Sequence, residues 1–241
     1  MTPVIPFDPV KRAADMEAIV MHDKKRKYYR FRASRHYGGI VTADTVGCPF
    51  LCAYCWNYGR NASPERFGKY YAADEVVEKL ASISSRKSIR LFRISGAEPV
   101  LGPVSFDHLL QVVKAGRFII ETNGLVLGAL PHLAERLGGL NVAVRISVKG
   151  WDAQSFERIS GAKKEFFRYP FIALKTLREA GVDAWPAVMG DLFLPEGTRC
   201  ISALMEEMGI RTRIETEYLE RYPGVMSAMR HRGCDIYGGM Q

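Results

Sequence analysis

Six short β-like runs recur along the chain with helix-like stretches between them, and this alternation limits the possible fold more than any other feature. The runs are IVTADTV (40–46), SIRLFRIS (88–95), RFIIETN (117–123), NVAVRISVK (141–149), VDAWPAVMG (182–190) and IRTRIETEYL (210–219). They show the β-branched richness or two-residue alternation of strands. Between most of them lie AADEVVEKLASIS, SFDHLLQVVKA, LPHLAERL, DAQSFERIS with YPFIALKTLREA, and RCISALMEEM, with apolar residues at helical spacing. Strands that alternate with helices run parallel, because each helix returns the chain to the same end of the sheet. Six such repeats predict an α/β fold, either a partial (β/α)6 TIM-like barrel with parallel strands or an open doubly wound sheet. The 241 residues are enough for one such core, and no linker divides them. The expected organisation is a basic, aromatic extension over 1–39 packing on a barrel at 40–220, followed by a C-terminal tail at 221–241.

The fourth run indicates which face points where. Alternation puts Val142, Val144, Ile146 and Val148 on one side and Ala143, Arg145, Ser147 and Lys149 on the other. In a barrel the aliphatic side meets the helices. The charged side then lines the interior toward the C-terminal strand ends, where parallel α/β enzymes keep their active sites. The same logic pairs Glu121 with Asn123, and Arg213 with Glu215 and Glu217. Buried charges of this kind need partners or a polar ligand.

Directly after the first run, VGCPFLCAYCW (46–56) places Cys48, Cys52 and Cys55 within eight residues, out of five cysteines in the chain. A closed zinc site takes four ligands, and only His36, Cys200 or Cys234 could add the fourth. A thioredoxin-like pair would use Cys52 and Cys55 and leave Cys48 without a role. A cubane held by three thiolates keeps one iron open for a substrate or cofactor. Two further cysteines are too few for a second cluster; Cys200 is expected to pack, and Cys234 is assigned no role.

Cys48, Cys52, Tyr54 and Cys55 match the CxxxCx(aromatic)C signature, and the chain resembles the radical S-adenosylmethionine superfamily. Ser95-Gly96-Ala97-Glu98-Pro99 is similar to that family's GGEP segment. Glu121-Thr122-Asn123-Gly124 and Ser147-Val148-Lys149 resemble segments of the pyruvate formate-lyase activating enzymes, a glycyl-radical group. Ala97 replaces the second Gly, which is tolerable where the backbone needs no positive φ. Ser147 stands where those enzymes carry an Asp that helps bind a monovalent cation. The resemblance spans roughly residues 38–220.

The resemblance implies a [4Fe-4S] cluster on Cys48, Cys52 and Cys55, with S-adenosylmethionine chelating the open iron and yielding a 5′-deoxyadenosyl radical on reduction. It places Tyr54 near the cluster and adenine, Gly96, Ala97, Glu98 and Lys149 at the methionine end, and Asn123 and Ser147 near the ribose. Hydrogen abstraction from a protein or peptide is the activity it suggests. The same chemistry on tRNA or a small metabolite is the alternative, and a zinc-stabilised RNA-binding protein is the non-catalytic one.

The formal net charge of +8 fits RNA, a negatively charged small substrate, or an acidic electron donor such as ferredoxin or flavodoxin. From Lys24 to Gly39, KKRKYYRFRASRHYGG interleaves basic and aromatic side chains. It could clamp phosphates and stack bases, or form a hairpin closing the barrel's bottom with Arg and Lys stems over apolar surface. No apolar run is long enough for a membrane span and the N-terminus lacks a signal-peptide pattern, so a cytoplasmic protein is expected.

Overall fold

A computed structural model describes residues 5–234. The outer ends of the expected extension and tail, residues 1–4 and 235–241, lie outside the described residues. In chain order come α1 (Pro9–Val20), β1 (Met21–His22), β2 (Lys25–Ser34), β3 (Ile40–Thr45), α2 (Tyr58–Ala62), β4 (Lys69–Tyr71), α3 (Ala73–Lys87) and β5 (Leu91–Ser95). They are followed by α4 (Pro103–Val113), β6 (Arg117–Thr122), α5 (Leu125–Ala129), α6 (Pro131–Glu135), β7 (Val142–Ser147) and α7 (Ala153–Ser160). The last are α8 (Tyr169–Glu179), β8 (Asp183–Met189), α9 (Gly190–Glu207), β9 (Glu215–Glu217) and α10 (Pro223–His231).

All nine strands among the described residues form one sheet, ordered β1-β2-β3-β5-β6-β7-β8-β9 with β4 on β2. β3 and β5 to β9 are parallel, as the alternation predicts, and make the partial barrel. No described helix is long and apolar enough to cross a membrane.

Burial follows the two-residue period. Val144 and Ile146 of β7 are fully buried in the main core with helix residues such as Leu174 and Leu177. On the inner face, Ile40, Ile119 and Trp185 form a separate apolar cluster with Leu91 and Ala143. Above that plug the inner face turns polar: Arg93 bonds Thr42 Oγ1 at 3.1 Å and Glu121 at 3.0 Å. Arg145 meets Glu215 at 3.0 Å and Glu217 at 2.6 Å. Burial taxes these ions, and pairing offsets the tax.

The Lys24–Gly39 stretch departs from the expected hairpin across the bottom of the barrel. β2 instead lies antiparallel along β3, and its Arg26 and Lys27 face inward. Arg26 is 1 % exposed and donates to the Glu98 carbonyl at 2.6 Å, while Lys27 Nζ reaches the Pro64 and Glu65 carbonyls at 3.1 and 3.0 Å. These cations satisfy loop carbonyls that burial would otherwise strand. Cys200, expected to pack, is exposed, and Cys234 is buried.

Candidate functional site

The parallel strands end in three loops that converge. Gly47, at φ +88°, turns the chain out of β3 into the cysteine loop. Its carbonyl accepts the Glu98 N–H from the loop after β5 at 3.0 Å. The Glu98 carboxylate accepts from Val100 N–H (3.0 Å), Thr122 Oγ1 (2.6 Å) and Asn123 N–H (2.7 Å), which adds the loop after β6. Burial lifts its pKa to about 7, and those donors hold it from rising further. Glu98 is thus occupied by its own chain and braces three loops.

Gly96 shows why the second loop carries glycine. Its φ is +88°, and a Cβ there would sit 2.7 Å from Asp44 Cβ. Ala97 is not among the described residues at positive φ, so its methyl group is tolerated.

The cysteine loop is pinned from below by α7, through Leu51 N–H to Ser160 O at 2.9 Å and Ala53 N–H to Ile159 O at 2.8 Å. Arg232, just past α10, donates to the Leu51 carbonyl at 2.7 Å. The sulfurs receive weak amide donors: Asn61 Nδ2 at 3.5 Å from Cys55 Sγ, and Asn123 Nδ2 at 3.9 Å from Cys48 Sγ. Asn57 Nδ2 donates to the Gly96 carbonyl at 2.6 Å and ties this loop to the next.

Burial pushes all three thiols up: Cys48 well above its usual value, Cys52 to about 12, and Cys55 less far, where the Asn57 N–H and Asn61 amide oppose it. Such thiols ionise at neutral pH only beside a strong positive charge, and coordination to a metal supplies it. Lys149 adds a fixed cation, with Nζ 5.1 Å from the Tyr54 ring centroid. Burial disfavours that charge, but Tyr54, Cys52 and Glu217 outweigh it and raise the pKa. The Tyr54 hydroxyl is buried without a well-formed hydrogen bond. One buried and two half-buried cysteines, with amide donors aimed at two of the sulfurs, beside a polar cavity, fit a cluster with an open corner.

All ten candidate residues read from the sequence line a single cavity of about 970 Å³: the three cysteines with Tyr54, Gly96, Ala97, Glu98, Asn123, Ser147 and Lys149. Sequence reasoning missed Asn57, Asn61 and Arg232. The two asparagines follow the cysteine motif within a few residues, a signal that could have found them. Arg232 gives none.

Comparison with known proteins agrees with this architecture. The chain is 29 % identical over 133 residues to a "Probable GTP 3′,8-cyclase" of Methanocella arvoryzae, covering 55 % of the chain and 41 % of that protein. It is 24 % identical over 182 residues to the GTP 3′,8-cyclase of Crocosphaera subtropica, covering 73 % of the chain and 52 % of that protein. The chain thus spans about half or less of the length of these curated relatives, and neither is named as an activating enzyme. The solved structure of Streptococcus suis SuiB bound to S-adenosylmethionine superposes with a TM-score of 0.60 at 14 % identity, covering 78 % of this chain and 44 % of that one. The Radical SAM superfamily model matches residues 43–208, and the chain belongs to that superfamily, whose cofactors are a [4Fe-4S] cluster and S-adenosylmethionine.

Proposed function

We propose that Cys48, Cys52 and Cys55 hold the cluster and that the chain takes hydrogen from a small anionic metabolite. One observation carries this reading. The cavity that holds the three cysteines extends to the Arg93–Glu121 and Arg145–Glu217 pairs on the barrel's inner face. Its volume of about 970 Å³ lies at the upper end of small-molecule pockets, about 300–1,000 Å³, and has room for a cofactor and a compact second ligand. The relatives named GTP 3′,8-cyclase favour a metabolite of nucleotide size.

When bound, a cluster reduced by an external electron donor and S-adenosylmethionine would supply the radical chemistry for hydrogen abstraction. The protein's task is to bind, orient and shield. Lys149 offers its ammonium to the methionine carboxylate. Gly96 and Ala97 present backbone to the methionine amino end, in a loop that Glu98 braces. Asn123 and Ser147 stand at the ribose, and Tyr54 covers the adenine side. The paired charges deeper in the barrel give a polar substrate fixed hydrogen-bond partners.

A protein or peptide substrate, as for the activating enzymes, is the second reading. It is favoured by the fold neighbour SuiB, solved bound to its precursor peptide SuiA. Membership of the superfamily sets aside the zinc-stabilised RNA-binding module. An acidic ferredoxin or flavodoxin suits the net charge of +8 as electron donor.

The test is isotope transfer. The anaerobically reconstituted chain, dithionite and S-adenosylmethionine are incubated with deuterated GTP and other deuterated nucleotides. Deuterium in 5′-deoxyadenosine supports the small-metabolite reading. Label arriving only from deuterated peptides, or from neither class, overturns it.

A further inference from the structure

One wall of the cavity carries an arrangement that none of the roles above uses. Arg30 and Arg32, two residues apart on β2, share a face of the strand. Both converge on Asp44, whose side chain is 0 % exposed: Arg30 Nε lies 2.7 Å and Arg32 Nε 2.9 Å from the same oxygen, Oδ2. Holding a guanidinium by Nε fixes its plane and leaves its Nη groups to bind something else. The Arg32 Nη atoms have no partner among the described residues, and Arg30 Nη2 has only the Tyr29 hydroxyl at 3.5 Å. Both side chains line the cavity.

The local charge is unbalanced. Two guanidiniums share one carboxylate, and a third, Arg60, stacks on the Tyr29 ring at 4.7 Å, the same ring that carries Arg30 at 5.4 Å. Elsewhere in the cavity Arg93 is matched by Glu121, and Arg145 by Glu215 and Glu217. The cavity cations left without a full counter-charge are therefore Lys149, which faces the Tyr54 ring, and the Arg30–Arg32 pair, whose shared Asp44 packs against Gly96. Rigid, anchored forks with an unmet charge suit a phosphoryl group, which accepts bidentate donors.

We propose that Arg30 and Arg32 form a clamp for a phosphoryl group of the substrate, which makes the substrate a phosphorylated small molecule. The clamp rests on the reading that substrate and cofactor share this cavity. Asp44 positions the two guanidiniums and does not itself touch the ligand.

The experiment is anaerobic calorimetric titration of the reconstituted chain with sodium tripolyphosphate at fixed low ionic strength, first without and then with added S-adenosylmethionine. The double variant Arg30→Lys/Arg32→Lys keeps a cation for Asp44 but removes the forks, and its thermal melt checks folding. The surface variant Arg136→Gln, whose residue pairs with Asp107 far from the cavity wall, is the control. Saturable binding by the wild-type chain and the control, weakened about tenfold or more in the double lysine variant, supports the clamp. Four results overturn it: no wild-type binding, equal affinity in the folded double variant, displacement of tripolyphosphate by added S-adenosylmethionine, or binding of RNA without binding of tripolyphosphate. Titration needs no turnover, so a failed isotope-transfer assay and a failed clamp are separately visible.

Discussion

Glu98 Oε2 accepts the Asn123 backbone N–H at 2.7 Å, so the carboxylate of one strand-end loop holds the backbone of the next. Its other oxygen takes Thr122 Oγ1 at 2.6 Å. In Glu98→Gln the amide nitrogen would face a donor wherever it turned, leaving a buried N–H unmet. The cost is about 1–3 kcal/mol, read as a lower midpoint in chemical unfolding. The pH dependence has a definite sign. The folded pKa of about 7 lies above the ordinary 4.5, so the stability Glu98 contributes is complete below pH 4.5 and is lost as pH rises through 7. The difference in unfolding free energy between wild type and Glu98→Gln should therefore shrink across that window. A difference that grows with pH would contradict the assignment.

His108 behaves oppositely. Its Nδ1 donates to the Lys24 carbonyl at 3.1 Å and its Nε2 accepts from the Tyr28 hydroxyl at 3.1 Å, so the neutral ring is fully satisfied. Burial depresses its pKa from 6.5 to about 4. Its contribution, at most about 3 kcal/mol, is present above pH 6.5 and is lost as pH falls through 4. Melts of wild type and His108→Gln should converge on acidification; parallel curves would refute the buried neutral ring.

Arg145 answers both Glu215 and Glu217. Arg145→Leu leaves two carboxylates together on the inner face. Because each Glu is about a third exposed, the expected loss is about 2 kcal/mol, below the ~3–5 of a fully buried broken pair. Adding Glu217→Gln should recover part of it in a double-mutant cycle; strictly additive losses would show that the pair is not coupled.

Lys149 provides the one cation against Tyr54 in the described contacts. In Lys149→Ala the iron content should be retained, while affinity for S-adenosylmethionine falls about 10- to 100-fold, the size of one lost charge-assisted hydrogen bond. Unchanged affinity removes Lys149 from the methionine end.

The six parallel strands were legible because their aliphatic faces are buried against helices, and burial of that kind is written in residue type. The sixth shortened. Only Glu215–Glu217 pairs with β8, since Arg213 leaves the run to stack over Trp185 at 4.0 Å and Thr212 bonds the Ala184 carbonyl at 3.0 Å. β2 was hidden by its own charge, because nothing local says that Arg26 and Lys27 will point inward to loop carbonyls. α1 had a readable start in Asp8, which caps Val10 and Lys11, followed by Pro9. The cysteine, glycine and lysine positions of the candidate site were legible as spacing. Arg232 on Leu51 was not, since 181 residues separate them and only the folded chain brings them together.

The most direct measurement is formation of 5′-deoxyadenosine by the anaerobically reconstituted chain with dithionite and S-adenosylmethionine, beside Cys52→Ala. The expected result is about four irons per chain with 5′-deoxyadenosine formed by the wild type, and loss of both in Cys52→Ala while the far-ultraviolet spectrum stays folded. A wild-type chain that binds its full complement of iron yet forms no 5′-deoxyadenosine, or a Cys52→Ala variant that still forms it, would contradict the account.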